Sequence, residues 1–565
     1  AALDEELARF LEDGPSGDEL ERIKTSQFAG FVKGMERIGG FGGKSDILAR
    51  SQVFGGSPDA YQVYLQALRN ADDDTVQAAA QQWLSDGVFV LSVEPFKEGK
   101  TSKDLVDRSQ LPAAGTPPAL ALPALQRFKL SNGLDVVLAE RHEIPVVQIS
   151  LVFDAGYAAD AGSKPGTASM TLGMLDEGTQ SYDALALAEA QQRLGANITT
   201  ASSLDTSTIS LSALSNLLDP SLALYAEVVR KPAFPASELQ RLKQQRLAGI
   251  AQEKAQPMSL GLRVLPPLLY GNKHAYGLPL TGSGDETSTR ALQLTDLRHF
   301  HESWIRPDNA SLVIVGDTQL ATIKPLLEEH FGDWQVPAKP KPSKTLSPVE
   351  RPAKAKIYLM DRPQAEQTVI IAGHVIPPTG HDADIAMETL NSILGGMFTS
   401  RLNLNLREDK HWAYGARSLF MDAKGQRPFI AYAPVQADKT APAMQEILKE
   451  LQQIKGPRPP KPPELRAAQD NLTLKLPGQH ETSGQVMATL LDQLVFNLPD
   501  NYYNQYVSRV RGLKQRDMQT AADVLLHPEQ LTWVVVGDLK TIEAPVRKLG
   551  IGEVQVLDSD GKPVK

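Results

Sequence analysis

The feature that most restricts how this sequence can fold is a long-period internal repeat. A helical stretch followed by a short hydrophobic strand occurs three times. The helical parts cover residues 74–84, 295–304 and 516–525, and the strands cover 88–93, 312–317 and 533–538. Upstream of each lies another helical stretch that opens with Glu-Leu, at Glu19-Leu20, Glu238-Leu239 and Glu464-Leu465. Successive strands are about 220 residues apart, too long for a solenoid repeat and right for whole duplicated domains. The first copy is represented only by its last part, roughly 100 residues.

Local patterning gives the class of the repeated unit. Residues 128–138 read as a hairpin turning at Asn132-Gly133, because this dipeptide tolerates the positive φ of a tight turn. Val147, Ile149, Leu151 and Phe153 alternate with Gln148 and Ser150, as in a half-buried strand. Asp183 can cap a helix that aligns Leu187, Ala190 and Leu194. A second hairpin follows at 198–204 and 206–214. The expected fold class is α+β: duplicated domains, each a mixed, antiparallel-rich sheet with helices packed against it.

Proline marks the joints. Pro112, Pro117, Pro118 and Pro123 form one linker, and Pro337, Pro340 and Pro342 form another. The Pro-rich run 456–463 reads as a loop within a domain. The expected layout is the end of a domain at 1–100, a linker at 101–125, a domain at 126–336, a linker at 337–344 and a domain at 345–565. The chain opens on Ala1-Ala2-Leu3, neither a Met start nor a signal peptide, so it reads as beginning inside a longer polypeptide.

Composition removes several chemistries. Among 565 residues there is no cysteine, which excludes disulfides, thiolate catalysis, iron–sulfur clusters and cysteine-bound zinc. A net charge of −9 argues against a broad nucleic-acid surface. No run of 18 apolar residues could span a membrane. Residues 39–45, Gly-Gly-Phe-Gly-Gly-Lys-Ser, imitate a phosphate loop, but Ile38 stands where the motif needs glycine and no hydrophobic strand precedes it. They read as a loop between helices. His299 and His301 diverge on a helix and read as a surface face. His374 and His381 read as core or surface residues, and His142-Glu143 as exposed.

Several segments together resemble the pitrilysin/insulinase family of zinc metallopeptidases, related to mitochondrial processing peptidase and to core proteins of respiratory complexes. They are the Asn-Gly-Leu opening, residues 153–156, Gly166-Thr-Ala with Glu177-Gly-Thr179, and Arg306-Pro-Asp-Asn309. The block 391–402, followed by Leu406-Arg-Glu-Asp-Lys410 and Ala413-Tyr414, is the most specific. The resemblance implies four similar domains in two halves that close as a clamshell over a peptide. This chain would be the end of the first half plus the whole second, non-zinc half.

The family's zinc sits on a helix carrying H-x-x-E-H, two histidines one turn apart with a glutamate base. Here the matching positions are Ser169, Leu172 and Gly173, and none of the ten histidines forms such a motif elsewhere. The family's third ligand would fall near Gln252 or Glu253, and Glu253 alone cannot hold zinc; it reads as a solvated helix residue. The resemblance therefore places zinc in the catalytic half only and no metal ligand in this chain. The family's second half also contributes an arginine and a tyrosine seven positions apart, matched by Arg407 and Tyr414. Arg407 falls near the end of a helix from about residue 400, and Tyr414 at the next strand. Both can donate to a peptide carbonyl becoming an oxyanion, where one donor is worth about 3 kcal/mol. Gly395 and Gly396 read as the mobile, substrate-side turn before them.

The expected function is the non-zinc half of a zinc metalloendopeptidase, inactive in isolation. Its expected partners are an H-x-x-E-H half, on the same polypeptide or a separate subunit, and a peptide substrate bound by strand addition. No nucleic acid and no membrane span are expected. The family suggests a periplasmic or exported setting, with a cytoplasmic one left open. The alternative is a non-catalytic scaffold, assembly or peptide-binding subunit of the same fold.

Overall fold

The computed structural model describes residues 2–85, 87, 91 and 122–564. The strand expected at 88–93 and most of the linker expected at 101–125 lie outside the described residues. The chain forms two compact units. One holds Ala1–Ala119 with Gln192–Ala196, the other Leu120–Gln191 with Asn197–Lys565.

The first unit is helical where it is described, with helices Ala2–Asp13, Gly17–Gly34, Lys44–Gly55, Tyr61–Asn70 and Asp73–Leu84. Ser16 and Asp72 cap the second and fifth through reciprocal hydrogen bonds with Glu19 and Thr75. The glycine-rich loop leads from one helix into the next. Its Gly42 amide donates to Asp46 at 2.8 Å, and Arg37 donates to the Phe41 carbonyl at 2.9 Å. The amide a phosphate would need is thus already engaged.

The second unit contains two six-stranded sheets. The first is built from β1 (Leu125–Lys129), β2 (Asp135–Glu140), β3 (Val146–Phe153), β4 (Asn197–Ser202), β5 (Ser207–Leu214) and β6 (Ala310–Gly316), in the order β1-β2-β6-β3-β5-β4. The expected turn joins β1 to β2, with Gly133 at φ +88° and the Asn132 side chain accepting from the Leu134 amide at 3.1 Å. The second sheet uses β7 (Lys356–Asp361), β8 (Gln367–Ile376), β9 (Arg417–Phe420), β10 (Arg427–Gln436), β11 (Thr532–Gly537) and β12 (Glu553–Leu557), in the order β12-β7-β11-β8-β10-β9. Five positions correspond. β2 and β6 run parallel, as do β7 and β11, and the remaining pairs within the five are antiparallel in both sheets. The sixth differs: the first sheet is edged by the antiparallel hairpin strand β1, the second by β12, which runs parallel to β7.

The central strands β6 and β11 are continuous apolar runs because both faces are covered. One face of the second sheet packs on the helices Asp384–Asn391, Thr440–Lys455 and Gln515–Leu525, through Leu390, Ile447 and Leu525 among others. The opposite faces are covered reciprocally. Helix Pro257–Tyr270, from between β5 and β6, lays Leu260, Val264 and Leu265 on β8 and β11. Helix Ser483–Val495, from between β10 and β11, lays Val486, Met487 and Leu490 on β2 and β6. Each fully buried Leu or Val contributes roughly 1.5–3 kcal/mol, so this exchange ties the two sheets into one body.

The helix Leu294–Trp304 corrects one expectation. His299 is exposed, but His301 is half-buried, and its Nε2 donates to the Val229 carbonyl at 2.8 Å. Burial holds its imidazole below the ordinary pKa.

Candidate functional site

The residues that match the family's arginine and tyrosine lie on the second part of an interrupted, irregular helix and in the loop after it. Helix Asp384–Asn391 ends in a π-helical turn, Ser392–Gly396. The chain then re-enters a helix at Arg401–Asn403 and widens again into a π-helical stretch, Leu404–Asp409. Such widened turns recur at functional sites because the extra residue shifts which side chains face outward. The stretch closes at His411, whose φ is +57° and whose amide and Nδ1 both meet the Arg407 carbonyl, at 3.2 and 3.0 Å. Tyr414 follows in the loop, three residues before β9.

The Arg407 guanidinium is held between two aromatic rings. Its carbon lies 4.6 Å from the Phe398 ring centre and 5.1 Å from that of Tyr414. Nε faces the Glu408 carboxylate at 3.3 Å. Phe398 is 60% and Tyr414 87% exposed, while the arginine side chain is 31% exposed. The rings restrict the guanidinium plane, and cation–π attraction contributes about 0.5–1 kcal/mol per ring at such exposure. The arrangement presents a positive, multi-donor edge beside the exposed Tyr414 phenol.

One buried side chain pins both flanking loops. Asn403 donates through Nδ2 to the Phe398 carbonyl at 2.7 Å and accepts from the Ala416 amide at 3.2 Å. Below it, Arg401 is buried and forms a two-pronged pair with Glu464 at 2.7 and 2.8 Å. Gly395 and Gly396 behave differently. Gly395 is buried, and a Cβ built there would overlap the Ser418 amide nitrogen and lie 2.9 Å from the Arg417 carbonyl carbon. It allows the close approach of the turn to β9 rather than loosening it. Gly396 is exposed.

The zinc-motif positions hold no metal donors. Ser169, on the helix Thr167–Leu172, donates to the Gly282 carbonyl at 2.9 Å. Leu172 is buried in apolar surroundings, and Gly173 ends the helix. Neither an alkyl side chain nor a glycine can ligate zinc, so these residues do not fit the metal. Glu253 is not the solvated residue expected. Its carboxylate pairs with the buried Arg263 and accepts from Ser283 Oγ at 3.0 Å and Thr281 Oγ1 at 3.3 Å. A guanidinium thus neutralises this carboxylate. Beside this lies Asp160, fully buried, which accepts from the Gly166 and Ala168 amides at 2.8 and 2.9 Å at the start of the same short helix. Burial pushes its carboxyl up to about 7.

His374 lies in the core of β8, stacked 5.2 Å from Phe429, and His381 is exposed. His142 is exposed and bonded to Asp317 at 2.8 Å. No helix among the described residues is long and apolar enough to cross a membrane.

Phe398 and Asn403 were not singled out from the sequence. Phe398 lies inside the family-like block, but only the fold shows that it stacks on Arg407. Asn403 reads as an ordinary helix residue until both of its partners are known.

Two family models match successive parts of the chain. Residues 135–275 match the insulinase family, peptidase family M16, and residues 291–472 match the peptidase M16 inactive domain. The zinc protease YmxG of Bacillus subtilis is 23% identical over 331 residues, spanning 59% of this chain and 78% of that protein. A Helicobacter pylori protein named non-peptidase homolog YmxG is 22% identical over 410 residues, spanning 72% of this chain and 92% of its own. Among solved structures, a peptidase M16 inactive domain from Pseudomonas fluorescens superposes with a TM-score of 0.67 at 27% identity, covering 74% of this chain and 98% of that one. A protease from Helicobacter pylori gives 0.68 at 22% identity, covering 74% and 100%. The chain belongs to the insulinase/pitrilysin family, M16, as a protein of its second, non-zinc half.

Proposed function

We propose that this chain is the C-terminal, non-zinc half of a zinc metalloendopeptidase, closing a peptide chamber against a half that carries H-x-x-E-H. In this reading residues 126–336 and 345–565 are its two domains, joined by 337–344, and residues 1–100 are the later part of a preceding domain. Zinc belongs to the other half, on the same polypeptide or a partner subunit, in a periplasmic or exported setting. Arg407 and Tyr414 donate hydrogen bonds to the scissile carbonyl as negative charge develops on its oxygen. Gly396 leaves backbone open beside them, and Gly395 holds the turn in place. The peptide adds a strand to a sheet edge, which reads backbone rather than side chains.

The observation that carries this reading is the partly exposed Arg407 guanidinium, fixed between Phe398 and Tyr414 by loops pinned through Asn403. A surface arginine serving stability alone has no need of a pinned aromatic clamp. The test is peptide hydrolysis by this chain mixed with its zinc half, with Arg407→Ala and Tyr414→Phe as variants. A second reading, a non-catalytic assembly or peptide-binding subunit, is favoured by the likeness to a relative named a non-peptidase homolog. That reading requires both variants to leave hydrolysis by the mixture unchanged.

A further inference from the structure

One helix of the internal repeat occurs three times, as Asp73–Leu84, Leu294–Trp304 and Gln515–Leu525. The three align without a gap on one face. They read Val76-x-x-Ala-Ala-x-x-Trp83, Leu297-x-x-Phe-His-x-x-Trp304 and Met518-x-x-Ala-Ala-x-x-Leu525. This spacing puts all four positions on a single helical stripe.

The stripe is closed in two copies and open in one. Leu525 is fully buried and Trp304 is 7% exposed, whereas Trp83 is 75% exposed. Ala79 is exposed, while its counterparts Phe300 and Ala521 are buried. A neighbouring helix repeats the contrast. Ile23, four residues after Glu19, is exposed, and Ala468, four residues after Glu464, is buried. Single exposed apolar side chains are ordinary on a protein surface. These occupy positions that the same fold buries in its other copies.

The other copies also show what belongs on the stripe. Leu294–Trp304 packs on the short helix Thr167–Leu172, which follows β3. Gln515–Leu525 packs on Asp384–Asn391, which follows β8, and the contact is aliphatic, with Met387 and Leu390 in the same buried cluster as Ala521 and Leu525. The described residues of the first unit contain helices and no strand, and none of these helices follows a strand. A second copy of this chain does not supply the cover. Its helices Thr167–Leu172 and Asp384–Asn391 are already engaged, and its two sheets are covered on both faces.

We propose that this face docks a strand-and-helix segment of the half that carries H-x-x-E-H. An apolar helix of that segment lies across Asp73–Leu84 as Asp384–Asn391 lies across Gln515–Leu525. The inference rests on the pairing of halves proposed above and names where the partner is gripped; it requires no catalysis. Trp83 is the anchor, because a tryptophan buries about 150–250 Å2 and such residues dominate binding at interfaces.

The test is calorimetric titration of the full chain with the H-x-x-E-H half. Trp83 is followed in parallel as the difference in fluorescence between the parent and Trp83→Phe. Saturable binding is expected, with the Trp83 emission moving to shorter wavelength. Trp83→Glu and Ala79→Glu should each weaken affinity at least tenfold. Phe41→Glu, at an exposed residue of the glycine-rich loop, should leave it within twofold. Circular dichroism and the thermal midpoint of the unmixed variants should match the parent, since both positions are already exposed. No binding, binding indifferent to both variants, or an equal loss in Phe41→Glu overturns the proposal. Self-association of the chain that Trp83→Glu abolishes also overturns it, and assigns the face to a second copy. Variant-sensitive binding without peptide hydrolysis upholds the docking and removes only the peptidase reading. Hydrolysis by a mixture whose assembly ignores both variants does the reverse.

Discussion

Replacing Asn403 with alanine should loosen the clamp around Arg407 without touching Arg407, Phe398 or Tyr414. The substitution deletes the donor to the Phe398 carbonyl at 2.7 Å and the acceptor of the Ala416 amide at 3.2 Å. Ala416 is buried, so its amide loses a partner that water does not replace, at about 1–3 kcal/mol. The Phe398 carbonyl lies in an exposed loop and is rehydrated, so its bond contributes only about 1 kcal/mol. The smaller loss falls on the segment just before Arg401 and the larger on the segment just before β9. Hydrogen exchange followed by mass spectrometry on peptides spanning residues 396–404 and 412–420 measures it. Where exchange proceeds by local opening, the rate should rise roughly 5-fold in the first, from the lost Phe398 bond, and roughly 5- to 150-fold in the second, from the stranded Ala416 amide. Phe398→Leu, which keeps the Asn403 bonds, should leave residues 412–420 unchanged. Exchange in Asn403→Ala within twofold of the parent would refute the pinning argument.

Further substitutions probe other features of the fold. Gly395→Ala should lower stability by about 1–3 kcal/mol or more through overlap with the Ser418 amide, read as a depressed thermal midpoint, while Gly396→Ala should cost less than about 1 kcal/mol. Arg263→Met should cost about 1–3 kcal/mol by removing a buried guanidinium from Ser283, the Gly284 carbonyl and the half-buried Glu253, and adding Glu253→Gln should restore part of the loss in the same melt. Burial lowers the His374 pKa to about 3, so the unfolded chain takes up a proton near pH 6.5 that the native core refuses. Stability therefore falls as pH drops below 6.5, by about 1.4 kcal/mol per unit from this residue, and His374→Leu should flatten the decline measured by denaturant titration.

What the sequence disclosed and what it hid divide along a physical line. Continuous apolar runs at 312–316 and 533–537 announced central strands, because a strand covered on both faces has no room for alternation. Asn132-Gly133 announced its hairpin, and Glu-Leu placed Glu19, Glu238 and Glu464 at the third position of their helices. These are local signals. The edge strand β12 was invisible because its partner β7 lies almost 200 residues away. The pairing of Glu253 with Arg263 needed two helices to meet at an angle no pattern gives. His301 looked like a surface residue because periodicity reports a helix face but not what packs on it. At the site, residue types and spacing pointed to Arg407 and Tyr414. Their aromatic clamp and its asparagine pin depend on π-helical turns, which carry no clear sequence signature.

Peptide hydrolysis by this chain paired with an H-x-x-E-H half is the measurement that decides the proposed roles of Arg407 and Tyr414. Arg407→Ala removes a charge-assisted donor and Tyr414→Phe removes one hydroxyl while keeping the ring that stacks on Arg407. Each should lower kcat/KM by about 10- to 1,000-fold, with the zinc content and thermal midpoint of the assembly unchanged. Full activity in the double variant, or a loss that follows thermal stability alone, would contradict the assignment of these residues to the scissile peptide.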